Sequence, residues 1–262
     1  MSLRLEQAGM RIDGRWLVRD VSLSIEPARV TALVGPNGSG KSTVLRLLAG
    51  LWRPTKGRAA LDGADLAGMA RRLIARQVAF VPQDTHFGFA FSVRQVVEMG
   101  RHPHVGRFET PGPRDAAAVE AALERADVAH LANRLVNELS GGERQRVVLA
   151  RSLATEAEAI LLDEPTSNLD IDHSLETFKL LKDLAGEGKA VAVALHDLNA
   201  VERWADHAGL MHAGSLRECG PVRDILRDDL VEPVFGVEVE RIHSATGADT
   251  LVFHRRPAQC GP

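Results

Sequence analysis

Arg29-Val30-Thr31-Ala32-Leu33-Val34 runs straight into Gly35-Pro36-Asn37-Gly38-Ser39-Gly40-Lys41-Ser42, and that junction decides the fold. The leading run is apolar on both faces and reads as a buried strand. The loop that follows has the glycine, four residues, glycine-lysine-serine spacing of a phosphate-binding loop. A helical run over residues 42–49 comes next, with Gly50 as its stop. Glycines let successive backbone N–H groups curl inward toward phosphate oxygens, and the helix N-terminus adds its positive end. Lys41 is one of five lysines in the chain. It is expected to reach the β- and γ-phosphates of a nucleotide, with the Ser42 hydroxyl on Mg²⁺ and Thr43 directly behind.

Three further runs share the pattern of a strand covered on both faces: Val78-Ala79-Phe80-Val81, halted by Pro82; Ala159-Ile160-Leu161-Leu162; and Ala190-Val191-Ala192-Val193-Ala194-Leu195. Strands of this kind belong to a parallel sheet buried under helices, so the class is α/β. Residues 93–99, 115–126 and 143–154 have helical character, with Gly- and Pro-rich loops at 100–113. Residues 84–152 are therefore expected to form a helical insertion within a domain spanning 1–230. From Val231 the chain reads as a short irregular or β-rich tail, 231–262.

The bulk properties narrow the function. A chain of 262 residues, 45% hydrophobic and with net charge -3, has the composition of a globular protein and not that of a general nucleic-acid binder. Its two cysteines, Cys219 and Cys260, have no metal-type pairing and suit a reducing compartment. The first sixteen residues mix charge throughout and lack the apolar core of a secretion signal. No apolar run approaches the ~20 residues that span a bilayer. Service to a membrane would therefore come from its surface, through a partner.

The third strand ends in Leu162-Asp163-Glu164-Pro165. Asp163 is suited to hold Mg²⁺ through water, and Glu164 to polarise an attacking water. A strand ending in Asp-Glu-Pro is by itself an ordinary polar turn; the phosphate loop gives it meaning.

Leu139-Ser140-Gly141-Gly142-Glu143 lies about a hundred residues after the phosphate loop. With it, residues 3–230 resemble the ATP-binding subunits of ABC transporters. The resemblance extends to Gln83 after the Val78-Ala79-Phe80-Val81 strand, to Ser167-Asn168-Leu169-Asp170 as the D-loop, and to His196 as the switch histidine. It implies a P-loop NTPase (RecA-like) core with an antiparallel β subdomain and an inserted α-helical subdomain. It further implies that Ser140, Gly141 and Gly142 meet the γ-phosphate of an ATP held by a second copy of the chain. Two ATP with Mg²⁺ would then be sandwiched between two protomers, with Asp170 at the seam. Gln83 would sense Mg²⁺ and the water, and His196 would contact the γ-phosphate.

One departure stands out. Members of the family stack an aromatic, often Tyr, on adenine about eight residues before the stretch found here as Asp20-Val21-Ser22-Leu23. This chain has no tyrosine. Ile12 falls near the expected place, and Trp16 is the nearest aromatic.

Within the family, Phe80-Val81-Pro82-Gln83-Asp84, Glu98-Met99-Gly100-Arg101 and Leu195-His196-Asp197-Leu198-Asn199 look most like importers of iron-siderophore, heme or vitamin B12. That group implies a peripheral subunit on the cytoplasmic face of the inner membrane. Two copies would dock beneath a two-subunit permease fed by a substrate-binding protein, with no nucleic acid involved. The docking cleft is expected near Phe87, Phe89, Phe91 and residues 99–101, although aromatics at alternate positions read equally as core. His102-Pro103-His104 reads as a solvated loop. A soluble ABC ATPase acting on nucleic acid or ribosomes would need coiled-coil insertions or a second ATPase unit. A P-loop kinase would leave residues 139–143 without a purpose.

Overall fold

The structure is a computed structural model, and it describes residues 1–83, 88–106, 109–167, 169–242 and 250–255. The chain opens with two long antiparallel strands, β1 (Leu3–Ile12) and β2 (Arg15–Ile25), before the buried strand β3 (Arg29–Val34). Helix α1 (Lys41–Leu48) leaves the phosphate loop. β4 (Lys56–Leu61) and β5 (Ala64–Asp65) complete an antiparallel sheet of order β2-β1-β4-β5. Then α2 (Arg71–Gln77) leads into β6 (Val78–Val81).

A helical segment follows: α3 (Val93–Glu98), α4 (Pro113–Arg125) and α5 (Gly141–Ala154). The chain then alternates β7 (Ala159–Asp163), α6 (Ile171–Gly186), β8 (Ala190–Leu195), α7 (Leu198–Trp204) and β9 (His207–His212). It ends with β10 (Ser215–Pro221), α8 (Val222–Ile225), α9 (Asp228–Phe235) and the hairpin β11 (Val237–Ile242) and β12 (Thr250–Arg255).

The central sheet has the order β10-β9-β3-β8-β7-β6, parallel except for β10. Every residue of β7 and β8 is buried, which explains their unbroken apolar runs. Parallel pairing in register, Val34 opposite Leu195 and Leu162 opposite Val193, brings the carboxyl ends of four strands to one edge. Ligands of open α/β sheets sit at such edges.

Helix α1 is wedged between the two sheets. Its Val44, Leu45, Leu47 and Leu48 are fully buried, against Leu3, Leu5 and Ile25 on one side and Leu33, Leu161 and Ala192 on the other. Six of its eight residues are buried, Lys41 and Thr43 among them, so the helix is enclosed although half of it is polar. Helix α5 joins the helical segment to the core. Val147, Ala150 and Ala154 pack with α3 and α4, while Val148 and Leu149 pack with the central sheet and α6. Arg101 pins the same junction. It is buried, with Nε 2.9 Å from Asp115 Oδ1 and Nη1 2.7 Å from both Ala154 O and Glu156 Oε2.

Residue 231, the expected start of a separate tail, lies inside α9. Val231 and Leu251 are both part of the core beneath the central sheet. The C-terminal segment therefore contributes to the main core, and its β-rich portion is the β11–β12 hairpin. Asp84, Phe87, Asn168 and Cys260 lie outside the described residues.

Candidate nucleotide site

The phosphate loop is bent by three glycines that no larger residue could replace without cost. Gly35 has φ +148°, and a Cβ there would stand 2.1 Å from the Met211 carbonyl oxygen. Gly40, at φ +105°, would drive a Cβ to 2.5 Å from Val18 Cγ1. Gly38, at φ +77°, faces open space, which leaves its backbone accessible to a ligand. The loop is held from below by a turn in the β9–β10 hairpin. Gly214 N–H donates to Ser39 O at 3.1 Å, and Gly214 O accepts from Arg19 N–H at 2.7 Å. Positive φ at Ala213 and Gly214 is the signature of a tight hairpin turn, so this support was readable from Ala213-Gly214 between two strands, although no motif flags it.

Lys41 is buried at the mouth of α1, and its Nζ donates to Gly35 O at 2.8 Å and Pro36 O at 3.3 Å. Burial pulls the ammonium below the usual lysine range, while the charges of Glu164 and Asp163 act in the opposite direction. Ser42 Oγ donates to Asp163 Oδ1 at 2.9 Å, joining the phosphate loop to the end of β7. Asp163 is 2% exposed. Burial pushes its carboxyl up, and the Ser42 hydrogen bond opposes the shift. A hydroxyl and a carboxylate in hydrogen-bond contact are the hard oxygen donors that Mg²⁺ prefers.

Glu164 sits one residue past the strand in the left-handed region, at φ +48°. A non-glycine residue held there costs of order 1–3 kcal/mol and persists only where its surroundings impose it. Its N–H donates to Ala194 O at 3.2 Å, and its carbonyl accepts from Ser167 Oγ at 3.1 Å. The turn directs the carboxylate back over the site. Glu164 Oε2 accepts from Gln83 Nε2 at 2.9 Å and lies 3.9 Å from His196 Nδ1. Gln83 follows β6, Glu164 follows β7 and His196 follows β8, so the parallel sheet brings together side chains up to 113 residues apart.

Gln83 and Glu164 border a cavity of about 490 Å³ lined also by Trp16, Asn37, Lys41, Ser42 and Thr43, which His196 does not line. The residues fit a nucleoside triphosphate with Mg²⁺: open loop amides at Gly38 and Gly40, a lysine and the Ser42–Asp163 pair. Trp16 and Ile12 are equally exposed, but only Trp16 lines the cavity. Arg11 and Arg19 lie 5.8 and 5.9 Å from its ring centre. The hairpin places Ile12 opposite Arg15 at the far end of β1.

The second expected anion surface is built differently. Ser140 caps α5: its Oγ accepts from Glu143 N–H at 3.2 Å, and Glu143 Oε2 accepts from Ser140 N–H at 2.7 Å. The helix begins at Gly141, two residues before the Glu143 expected from sequence, because the Ser140–Glu143 pair is a capping box. Those hydrogen bonds from Ser140 hold the Glu143 carboxyl below the usual carboxylate range. Among the described residues, none of 139–143 lines the nucleotide cavity. Asp170 caps α6, accepting from His173 N–H at 2.9 Å, and shares a separate surface cleft with His196 and the 82% exposed Ile171.

Of the expected docking aromatics, Phe89 is 75% exposed, while Phe91 packs half-buried against the α3–α5 core. A groove of about 530 Å³ runs past Phe91, Met99, Arg101 and Pro111. His104 Nε2 lies 2.8 Å from Thr155 O, and no cluster of metal-binding side chains occurs among the described residues.

The sequence pattern of the ABC transporter family matches residues 18–167. A cobalamin import ATP-binding protein of Halobacterium salinarum is 42% identical over 253 residues, covering 96% of this chain. The chain spans 63% of the length of that relative. A hemin import ATP-binding protein of Gloeobacter violaceus is 43% identical over 243 residues, covering 90% of this chain and 88% of the relative. Among solved structures, an inward-facing ABC transporter described as of the metal-chelate type superposes with TM-score 0.83 at 30% identity, covering 98% of each chain. A dimeric bacterial ABC transporter cassette superposes with TM-score 0.75 at 27% identity, over 84% of this chain and 99% of that one.

Proposed function

The chain belongs to the ABC transporter family, and from that membership we propose that it is the ATP-hydrolysing subunit of an importer. The observation that carries the proposal is the convergence of Gln83, Glu164 and His196 above Lys41 and the Ser42–Asp163 pair. Lys41 and the amides of residues 35–43 hold the triphosphate. Ser42 and Asp163 hold Mg²⁺, which when bound supplies positive charge against the phosphate oxygens. Glu164 accepts the proton of the attacking water, Gln83 orients that water, and His196 stabilises charge on the γ-phosphate. Trp16 gives the base a flat apolar face.

Residues 139–143 do not line this cavity, so their anion site serves an ATP held by a second copy. The working unit is then a dimer closed around two nucleotides, with Ser140, Gly141, Gly142 and Asp170 acting across the seam. No described helix is long and apolar enough to cross a membrane. The membrane path is therefore assigned to a separate permease, met through the groove at Phe91, Met99 and Arg101 on the cytoplasmic face of the inner membrane. A substrate-binding protein would deliver the cargo from the far side. The relatives named for cobalamin and hemin import support a cargo of the class of metal-centred macrocycles and chelates.

The test is Glu164→Gln. The variant is expected to keep nucleotide affinity, lose turnover by roughly 10²–10⁴-fold, and elute as an ATP-dependent dimer. A near-normal rate removes Glu164 as the base.

A further inference from the structure

His196 must be placed accurately, yet its side chain is 61% exposed and packs against little. Its position is therefore set by backbone on either side. Upstream it is the end of β8, a central strand paired on both flanks and rigid for that reason. Downstream it is the first turn of α7, where Asp197 caps the helix by accepting from Asn199 N–H at 2.9 Å. Leu195 and Leu198, which bracket His196, are both buried in the main core.

What holds that first turn comes from far along the chain. Asn199 Nδ2 donates to Leu251 O at 3.0 Å, and Leu251 N–H donates to Asn199 Oδ1 at 2.7 Å. One amide side chain thus satisfies both backbone groups of one residue of β12. The Leu251 side chain is 2% exposed and enters the same core cluster as Leu195 and Leu198. A two-stranded hairpin is marginal alone in water, so β11–β12 is ordered by what it docks on. Further anchors among the described residues are Arg241 Nε, which meets Asp228 Oδ1 at 2.9 Å, Arg241 Nη2, which donates to the Leu226 carbonyl, and Val239 N–H, which donates to Glu232 Oε1 at 3.0 Å.

We propose that Asn199 is a positioning residue for hydrolysis: by clamping Leu251 it makes the C-terminal hairpin a brace that fixes the helix start behind His196. This rests on the hydrolytic reading above. Asn199 does not line the nucleotide cavity, so it governs the rate through His196 and leaves nucleotide affinity alone.

The test uses the full chain and four variants: Asn199→Ala, Asn199→Asp, His196→Ala and the Asn199→Ala/His196→Ala double. Asn199→Ala is expected to lower kcat by about five-fold with nucleotide affinity unchanged within about two-fold, the split that marks loss of a transition-state interaction. Asn199→Asp keeps the acceptor for Leu251 N–H and should recover part of the rate. In the His196→Ala background the Asn199 change should cost less than about two-fold, because both act through one group. Equal losses in the two backgrounds, or an unchanged kcat, overturn the proposal.

Amide hydrogen exchange judges the brace without reference to activity. Protection of residues 197–201 should fall in Asn199→Ala while that of β8 holds, and unchanged protection overturns the brace. A wild-type chain that turns over no ATP would defeat the hydrolytic reading instead.

Discussion

Two helices of this chain begin at the loops proposed to meet phosphate, and they begin differently. Helix α1 starts at Gly40 with no side chain capping it and no acidic residue in its first turn. Its first N–H groups are left for a ligand, and Lys41 stands beside them. Helix α5 is already satisfied by its own Ser140 and Glu143, and Glu143 sets a negative charge in its first turn. Arg134, 3.8 Å from Glu143, offsets only part of that charge. The first helix is therefore ready to bind phosphate within one protomer. The second requires an anion brought to it already held by something else. That asymmetry is what the proposed site shared between two copies would require.

Ser140→Arg breaks the comparison most sharply. The bulky cation removes a helix cap worth about 1 kcal/mol and fills the surface on which a second protomer's nucleotide would land. Turnover is expected to fall below detection in an ATPase assay. Titration of the isolated chain with a fluorescent nucleotide should give an affinity within about two-fold of wild type. Loss of binding by the lone chain would show that residues 139–143 act in cis.

Trp16→Ala acts on the other side of the comparison. Stacking of a base on an aromatic ring is worth about 1–3 kcal/mol, so affinity for ATP is expected to weaken by roughly ten-fold, with Ile12→Ala as an unaffected partner. An equal loss at Ile12 would set the base against Ile12, beside the Arg11–Trp16 pair at the same turn of the hairpin.

The smallest effect is on stability. Burial raises the Asp163 carboxyl above its unfolded value, so between those two values the folded chain binds more protons than the unfolded one. The ligand-free chain should therefore lose stability as pH rises from the ordinary carboxylate range through the raised value. Asp163→Asn should flatten that part of a Tm-against-pH curve and raise Tm at neutral pH by a few degrees. A parallel curve for the variant would mean that Asp163 carries no such strain.

Much of this was legible beforehand. β3, β6 and β8 begin and end where their apolar runs do, because strands buried on both faces need no alternation to betray them. The long strands β1 and β2 left no such trace. Their pairing slips at Leu5/Ala8, Ala8/Met10 and Met10/Arg11, and Gln7 takes φ +46°. A bulge shifts every later side chain to the opposite face and erases the period of two. Residue 231 was misleading for another reason: α9 is eight residues long, contains Pro233, and owes its place to burial of Val231.

By itself the sequence determined the chemistry that neighbouring residues can settle among themselves. The glycine spacing that opens α1, the Ser140–Glu143 capping pair and the acidic end of β7 depend on a few consecutive dihedrals, and short stretches specify those. The tertiary structure decided everything that depends on strand order and register. It set Gln83 against Glu164, seated Trp16 and not Ile12 in the cavity, and carried Leu251 back to Asn199. Contacts between residues so distant in the chain arise only when the sheet closes, and no local pattern encodes which strand will lie beside which.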